Sequence, residues 1–243
     1  MPKALTAFIM FTMLIMLYGC ALVMHHDDRA PFPTAPSPLS SGVSAIGIVI
    51  TERKMESVLY PSVVFFAKVA ETEDIFSQSD LMISNFTLHG HYFLLNIPPG
   101  RYVAVASGRA RRDGEQPAEL TFFTKEMIRQ TETIVAAGEM KSMGTYEISY
   151  PLFGSVLHNQ NDSAQRHYYQ ILQPDTSIGM WSSFWRFFQL HQRELSATNW
   201  KADRSVKDER LFLDLADVYL NNGQSESWSP FIQHRVEVLI NAQ

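Results

Sequence analysis

Tyr92-Phe93-Leu94-Leu95-Asn96-Ile97-Pro98-Pro99-Gly100-Arg101-Tyr102-Val103-Ala104-Val105 is the stretch whose reading decides the fold. Two segments of apolar, aromatic and β-branched residues, the composition that suits a pleated and half-buried surface, flank two prolines and a glycine. Proline has no N–H and a fixed φ, so neither Pro98 nor Pro99 continues a strand; Pro99 and Gly100 suit the central positions of a type II turn. The segment predicts strand, tight turn and strand, with the second strand from Tyr102 to Ser107 alternating Val103 and Val105 against Tyr102 and Ala104.

The same period-two pattern extends in both directions. Upstream, Leu81 to Leu88 and Tyr92 to Ile97 flank His89-Gly90, which fits a two-residue hairpin turn in which glycine supplies a positive φ. Ile46, Ile48 and Ile50 share one face of an earlier run, and Val63 to Ala70 forms another, introduced by Tyr60-Pro61. Downstream, strands are expected at Leu120 to Thr124, Thr131 to Ala136 and Gly144 to Tyr150. At least seven short, evenly spaced strands between Val43 and Tyr150 predict an antiparallel β-sandwich.

The run from Tyr92 to Val105, with its Asn96-x-Pro98-Pro99-Gly100 turn followed by Tyr102, resembles the hairpin of transthyretin-like or carboxypeptidase-regulatory-like sandwiches. That resemblance implies a β-sandwich and a non-catalytic adhesion or interaction module of an exported bacterial protein. Fold alone says little about activity.

After Tyr150-Pro151 the period becomes helical. Asp162 caps a short expected helix with Gln165, Tyr168, Tyr169 and Leu172 as its stripe, ended by Pro174. A longer helix is expected from Ile178 to Ser196, where Trp181, Phe184, Trp185, Phe188 and Leu195 recur at helical spacing. Ser205-Val206-Lys207-Asp208 reads as a capping box for a helix whose buried face is expected to hold Leu211, Phe212, Leu215, Val218 and Tyr219 before Gly223 ends it. Ser229-Pro230 opens a last helix bearing Ile232, Val236, Leu239 and Ile240. The expected class is α+β: an antiparallel β-sandwich, transthyretin-like by resemblance, over 43–150, followed by a helical region over 151–243 that packs on the sandwich or forms a small subdomain.

The first residues carry an address. Lys3 precedes an apolar, charge-free run from Ala4 to Tyr18, shorter than the ~20 residues of a spanning helix and matching a secretory h-region. It ends in Leu17-Tyr18-Gly19-Cys20, which holds the sole cysteine. This resembles the lipobox of bacterial lipoprotein signal peptides, implying signal recognition through Leu17 and Gly19, removal of 1–19 and lipidation of Cys20. Acylation by more than one chain would give stable anchoring. Ala21 is not the Asp that retains many such proteins at the inner membrane, so the resemblance favours an outer-membrane location. Residues 20–42 then read as a linker, since Pro31, Pro33, Pro36 and Pro38 favour an extended spacer.

Composition narrows the function. With 25 acidic and 20 basic residues the net charge is −5, which argues against nucleic acid as a partner. With Cys20 lipidated, no thiol remains for a disulfide, a thiolate nucleophile or a zinc-thiolate site. The chain is 46% hydrophobic and can bury a sizeable core without such staples.

Candidate chemistry is sparse. His89 and His91 would share a face of a continuous strand, but Gly90 reads as a turn and no third ligand is identifiable, so no metal or cofactor is assigned. His25-His26-Asp27-Asp28 lies in the linker, where ligands would not be pre-organised. Ser155, His158 and Asp162, and Ser163, His167 and Asp175, are close in sequence but lack a nucleophile elbow, and no catalytic residues are assigned. Arg109, Arg111 and Arg112 form a basic loop, and Trp181, Phe184, Trp185 and Phe188 an aromatic stripe; both are possible partner-binding surfaces.

The expectation is therefore a non-enzymatic, membrane-anchored binding or structural module of the cell envelope, with an envelope protein or glycan as partner. The alternative is a small-ligand carrier or hydrolase with Trp181, Trp185 and His191 gathered between sheet and helices.

Overall fold

In the computed structural model, residues 34–54, 56–70, 74–75, 79–109, 119–150, 193–197, 199–221 and 227–241 are described. The strands are β1 (Ser44–Lys54), β2 (Ser57–Leu59), β3 (Val63–Val69), β4 (Ser79–Ile83), β5 (Phe86–Leu88), β6 (His91–Ile97), β7 (Gly100–Arg109), β8 (Glu119–Phe123), β9 (Thr133–Val135), β10 (Met140–Tyr150), β11 (Arg193–Ala197) and β12 (Trp200–Asp203). The helices are α1 (Lys125–Thr131), α2 (Val206–Leu220) and α3 (Ser229–Asn241).

The strands form two six-stranded sheets. The first runs β12-β10-β1-β6-β5 with β2 on the end of β1; the second runs β11-β8-β7-β3-β4 with β9 against β7. The class is α+β, as expected. Most pairs are antiparallel, but β1 with β10 and β11 with β8 are parallel. Ile46, Ile48 and Ile50 of β1 share one buried core cluster with Val64, Phe65, Tyr92, Val105 and Phe122. At roughly 1.5–3 kcal/mol per buried side chain, this stripe dominates the stability of the sandwich.

The Pro98-Pro99 connection corrects the expected hairpin. β6 lies in the first sheet and β7 in the second, so the prolines carry the chain from one sheet to the other. Proline cannot donate to a ladder, and it is Asn96, at φ 62, that takes the positive φ before the crossing. The stretch Leu81 to Leu88 likewise divides, β4 into the second sheet and β5 into the first, at Ser84-Asn85. There Asn85 imitates a backbone group: its amide donates to the Leu95 carbonyl and accepts from the Leu95 N–H. The His89-Gly90 turn does join neighbours of one sheet, with both residues at positive φ as a type I′ turn requires.

Three further expectations are corrected. Residues 193–197 form β11 rather than the end of a helix reaching Ser196, and Leu195 pairs with Thr121. With β12 this strand adds to the sandwich, so the sheets draw on sequence beyond Tyr150. Lys125–Thr131 is a helix, capped by the Thr124 hydroxyl accepting from the Met127 N–H, so the strand expected over Thr131 to Ala136 is present but shortened to β9, Thr133–Val135. On α2 the buried residues are Phe212, Leu213, Ala216 and Leu220, while Leu211 and Val218 are 57% and 66% exposed. The seat in the sheet selects that face: Gly47 leaves open the place that Phe212 fills, since a Cβ there would lie 2.2 Å from Cζ of Phe212.

Helices α2 and α3 cover the outer face of the first sheet, where Ala45, Phe93, Leu95 and Met140 meet Phe212, Leu213, Trp228, Phe231 and Leu239. The end of the expected linker is docked there. Ala35 is buried, the Trp228 indole N–H donates to the Pro36 carbonyl, and Asn96 both donates to the Ser37 carbonyl and accepts from the Leu39 N–H. Residues 34–39 are thus a strap on the body rather than a free spacer.

Candidate functional site

A polar cleft of about 480 Å³ opens on the outside of the sandwich. Its floor is Lys141, Ser142 and Gly144 of β10; one wall is Arg129, Glu132, Thr133 and Ile134 at the end of α1 and in β9; the other is Arg204, Asp208 and Glu209 around the start of α2, with Arg235 of α3. Among the described residues Ile134 is its one large apolar residue, and is 62% exposed.

Local sequence explains the placement of each charge. Ser205 caps α2, its hydroxyl accepting from the Asp208 N–H. Asp208 does not close the expected reciprocal box: the Ser205 N–H donates to Asp203 instead, and the Thr145 hydroxyl donates to Oδ1 of Asp208. Oδ2 of Asp208 is enclosed without a hydrogen-bond partner among the described residues. Burial holds the Asp208 carboxyl above its usual 3.8, helped by the nearby Asp203 and Glu209 charges.

Just before the cap, Arg204 reaches across to α1. Its Nη1 donates to the Gln130 carbonyl and its Nη2 to the Glu132 carbonyl at 3.1 Å, a cation on the free carbonyls of a helix C-terminus. Gly144 makes this possible: at φ +106 it lies under the arginine stem, and a Cβ there would be 2.6 Å from Cγ of Arg204 and 2.9 Å from the Asp203 carbonyl.

Behind the cleft is a closed ion-pair network. Arg235 holds Glu209 through two hydrogen bonds of 2.9 and 3.1 Å and Glu139 through a third of 3.2 Å. Glu139, buried, also meets Lys141 at 3.3 Å and accepts from the Ala136 N–H. Lys141 donates to the Ile134 carbonyl at 2.8 Å, and Glu132 is held by Arg101 at 2.7 Å.

The second polar cluster is sealed inside the sandwich. Glu52, 2% exposed, follows Ile46, Ile48 and Ile50 on the inward face of β1. The Ser107 hydroxyl donates to its Oε1 at 2.8 Å, while Thr121 and Tyr150 share a hydrogen bond of 2.7 Å beside it. Burial pushes the Glu52 carboxyl above its usual 4.5, against the hydrogen bonds and the Arg109 charge that lower it. A perturbed carboxyl is a common mark of a site, but Glu52 is buried and does not line the cleft.

The residues singled out from the sequence are placed as follows. Cys20, Leu17, Gly19, Arg111, Arg112, Trp181, Phe184, Trp185, Phe188 and His191 lie outside the described residues, as do both Ser/His/Asp groupings and the His25-Asp28 cluster. Arg109 ends β7 and acts electrostatically on Glu52. His89 is exposed at the turn; His91 is buried against Phe93, Phe212 and Tyr219, and burial lowers its pKa. These aromatic neighbours make His91 part of the seat for α2. Among the described residues no three His, Cys, Asp or Glu side chains group as metal ligands.

Sequence reasoning did not reach the cleft. One signal was available in Gly144, an isolated glycine inside a strand, which marks a bulge or a close approach; what approaches it is a side chain about sixty residues downstream, which no local pattern records. No known family model, no curated protein and no solved structure matches the chain.

Proposed function

We propose that the chain is a lipid-anchored protein of the bacterial cell envelope, on the outer membrane, and acts as a non-catalytic binding module through the cleft beside Arg204. The cleft carries the binding half of this reading: charged and hydroxyl side chains from two strands, three helices and the loops at their ends converge on one open volume, where Arg204 is bonded to two neutral carbonyls among the described residues. The anchoring half rests on Leu17-Tyr18-Gly19-Cys20 at the end of an apolar leader. The resemblance of the Tyr92 to Val105 run to transthyretin-like modules supports a binding rather than an enzymatic role. The strap is compatible with an anchor, because it fixes where the chain from Cys20 joins the body, at Trp228 and Asn96.

Metabolic labelling with a fatty acid tests the anchor. The wild-type protein is expected to take up label and fractionate with the outer membrane, and Cys20→Ala to take up none. Label on Cys20→Ala, or none on the wild type, would overturn it. For the binding half, a photo-crosslinking amino acid at Ser142 is expected to give one reproducible adduct with an envelope component in cells that the same amino acid at the exposed Val218, outside the cleft, does not give.

A further inference from the structure

Within the reading of the cleft as the binding site, we infer that its ligand is a hydroxylated molecule bearing an oxyanion, a phosphorylated or carboxylated sugar. With Ile134 as the one large apolar side chain among the described residues, the lining offers little to a lipid tail or an apolar small molecule, whose pockets are mostly apolar. What it offers is donors.

Arg204 has five N–H donors, and its two hydrogen bonds among the described residues both go to neutral carbonyls. The guanidinium thus keeps its full charge and its remaining donors for a ligand. Lys141 has three donors, engaged with the Ile134 carbonyl and, at 3.3 Å, with Glu139, which Arg235 already holds. Ser142 adds a hydroxyl that accepts from the Gly144 N–H and can still donate to a sugar, whereas the Thr133 hydroxyl donates to the Thr131 carbonyl.

The lining carboxylates do not cancel this. Glu132 is held by Arg101 and Glu209 by Arg235, so neither faces Arg204 as a counter-ion. Asp208 is the carboxylate that opposes an anion, and its Oδ2 is shut away from solvent. Arg204 is also rigidly placed, its stem over Gly144 and its head on the α1 carbonyls, so little side-chain freedom is lost on binding.

Calorimetry on the full chain in non-ionic detergent decides the class, with inorganic phosphate, glucose 6-phosphate, glucuronate and glucose as probes. Glucose 6-phosphate and glucuronate are expected to bind at least ~10-fold more tightly than glucose, and inorganic phosphate to bind more weakly than the phosphosugar, the scale of a charge-assisted hydrogen bond. Affinity should fall as sodium chloride rises from about 50 to about 500 mM. Arg204→Gln and Lys141→Gln should each weaken binding about tenfold, with melting curves to confirm that both variants fold.

Glucose binding as tightly as glucose 6-phosphate, unchanged affinity in both variants, or no binding by any probe overturns the oxyanion class. If no probe binds yet the Ser142 crosslink persists, the cleft remains a binding site for another chemistry; loss of both removes the binding-module reading itself.

Discussion

Glu52 and Arg204 are both ionisable residues set among hydroxyls and carbonyls, yet one is enclosed between the sheets and the other lines an open cleft. Around Glu52 the hydroxyls of Ser107, Thr121 and Tyr150 use one another up inside the core. Around Arg204 the partners are backbone carbonyls, and donors remain. The difference teaches that charge and perturbed titration alone do not mark a site: Glu52 has the larger burial and a raised pKa, but only the cleft has both space and unused hydrogen-bonding capacity.

The largest expected effect breaks the ion-pair network behind the cleft. Arg235→Ala leaves Glu139 buried with Lys141 as its remaining cationic partner and releases Glu209, so it should destabilise the fold by about 3 kcal/mol in chemical denaturation. A loss below about 1 kcal/mol would mean that the network is no stronger than a surface pair.

Gly144→Ala comes next. A β-carbon at φ +106 with Cγ of Arg204 2.6 Å away should cost about 1–3 kcal/mol and displace the guanidinium from the α1 carbonyls. Stability and probe affinity should fall together, whereas Arg204→Gln should lower affinity with a stability change under about 1 kcal/mol. Equal melting temperatures for Gly144→Ala and wild type would show that Gly144 does not position the arginine.

Glu52→Gln should have the smallest effect, and a pH-dependent one. Because the folded-state pKa is raised above 4.5, the folded chain holds the Glu52 proton more tightly than the unfolded chain. The stability it contributes is complete below about pH 4.5 and is lost as pH rises through the folded value. Thermal melts should therefore show Glu52→Gln gaining on wild type as pH rises above about 4.5, without change in ligand affinity. A difference independent of pH would show that Glu52 does not titrate in this window.

Much of the sandwich was legible because strands are written locally. Ile46, Ile48 and Ile50 alternate, His89-Gly90 names its own turn, and Ser205 names the start of α2. Which sheet each strand joins was not legible: Pro98-Pro99 stops a strand equally well in a hairpin and in a crossing between sheets. The buried face of α2 was misread for a similar reason. Leu211 and Val218 are as apolar as Leu213 and Leu220, and only the seat that Gly47 leaves for Phe212 chooses between them.

By itself the sequence determined the class, the strand-rich body followed by helices, because side-chain period and turn chemistry depend on near neighbours. Its leader carries the reading of an anchored protein in the same local way. Only the tertiary structure decided the cleft. Gly144, Gln130 and Arg204 are far apart along the chain, and their shared geometry exists only once β10, α1 and the start of α2 are packed, since hydrogen bonds and excluded volume act through space and leave no periodic trace in the chain.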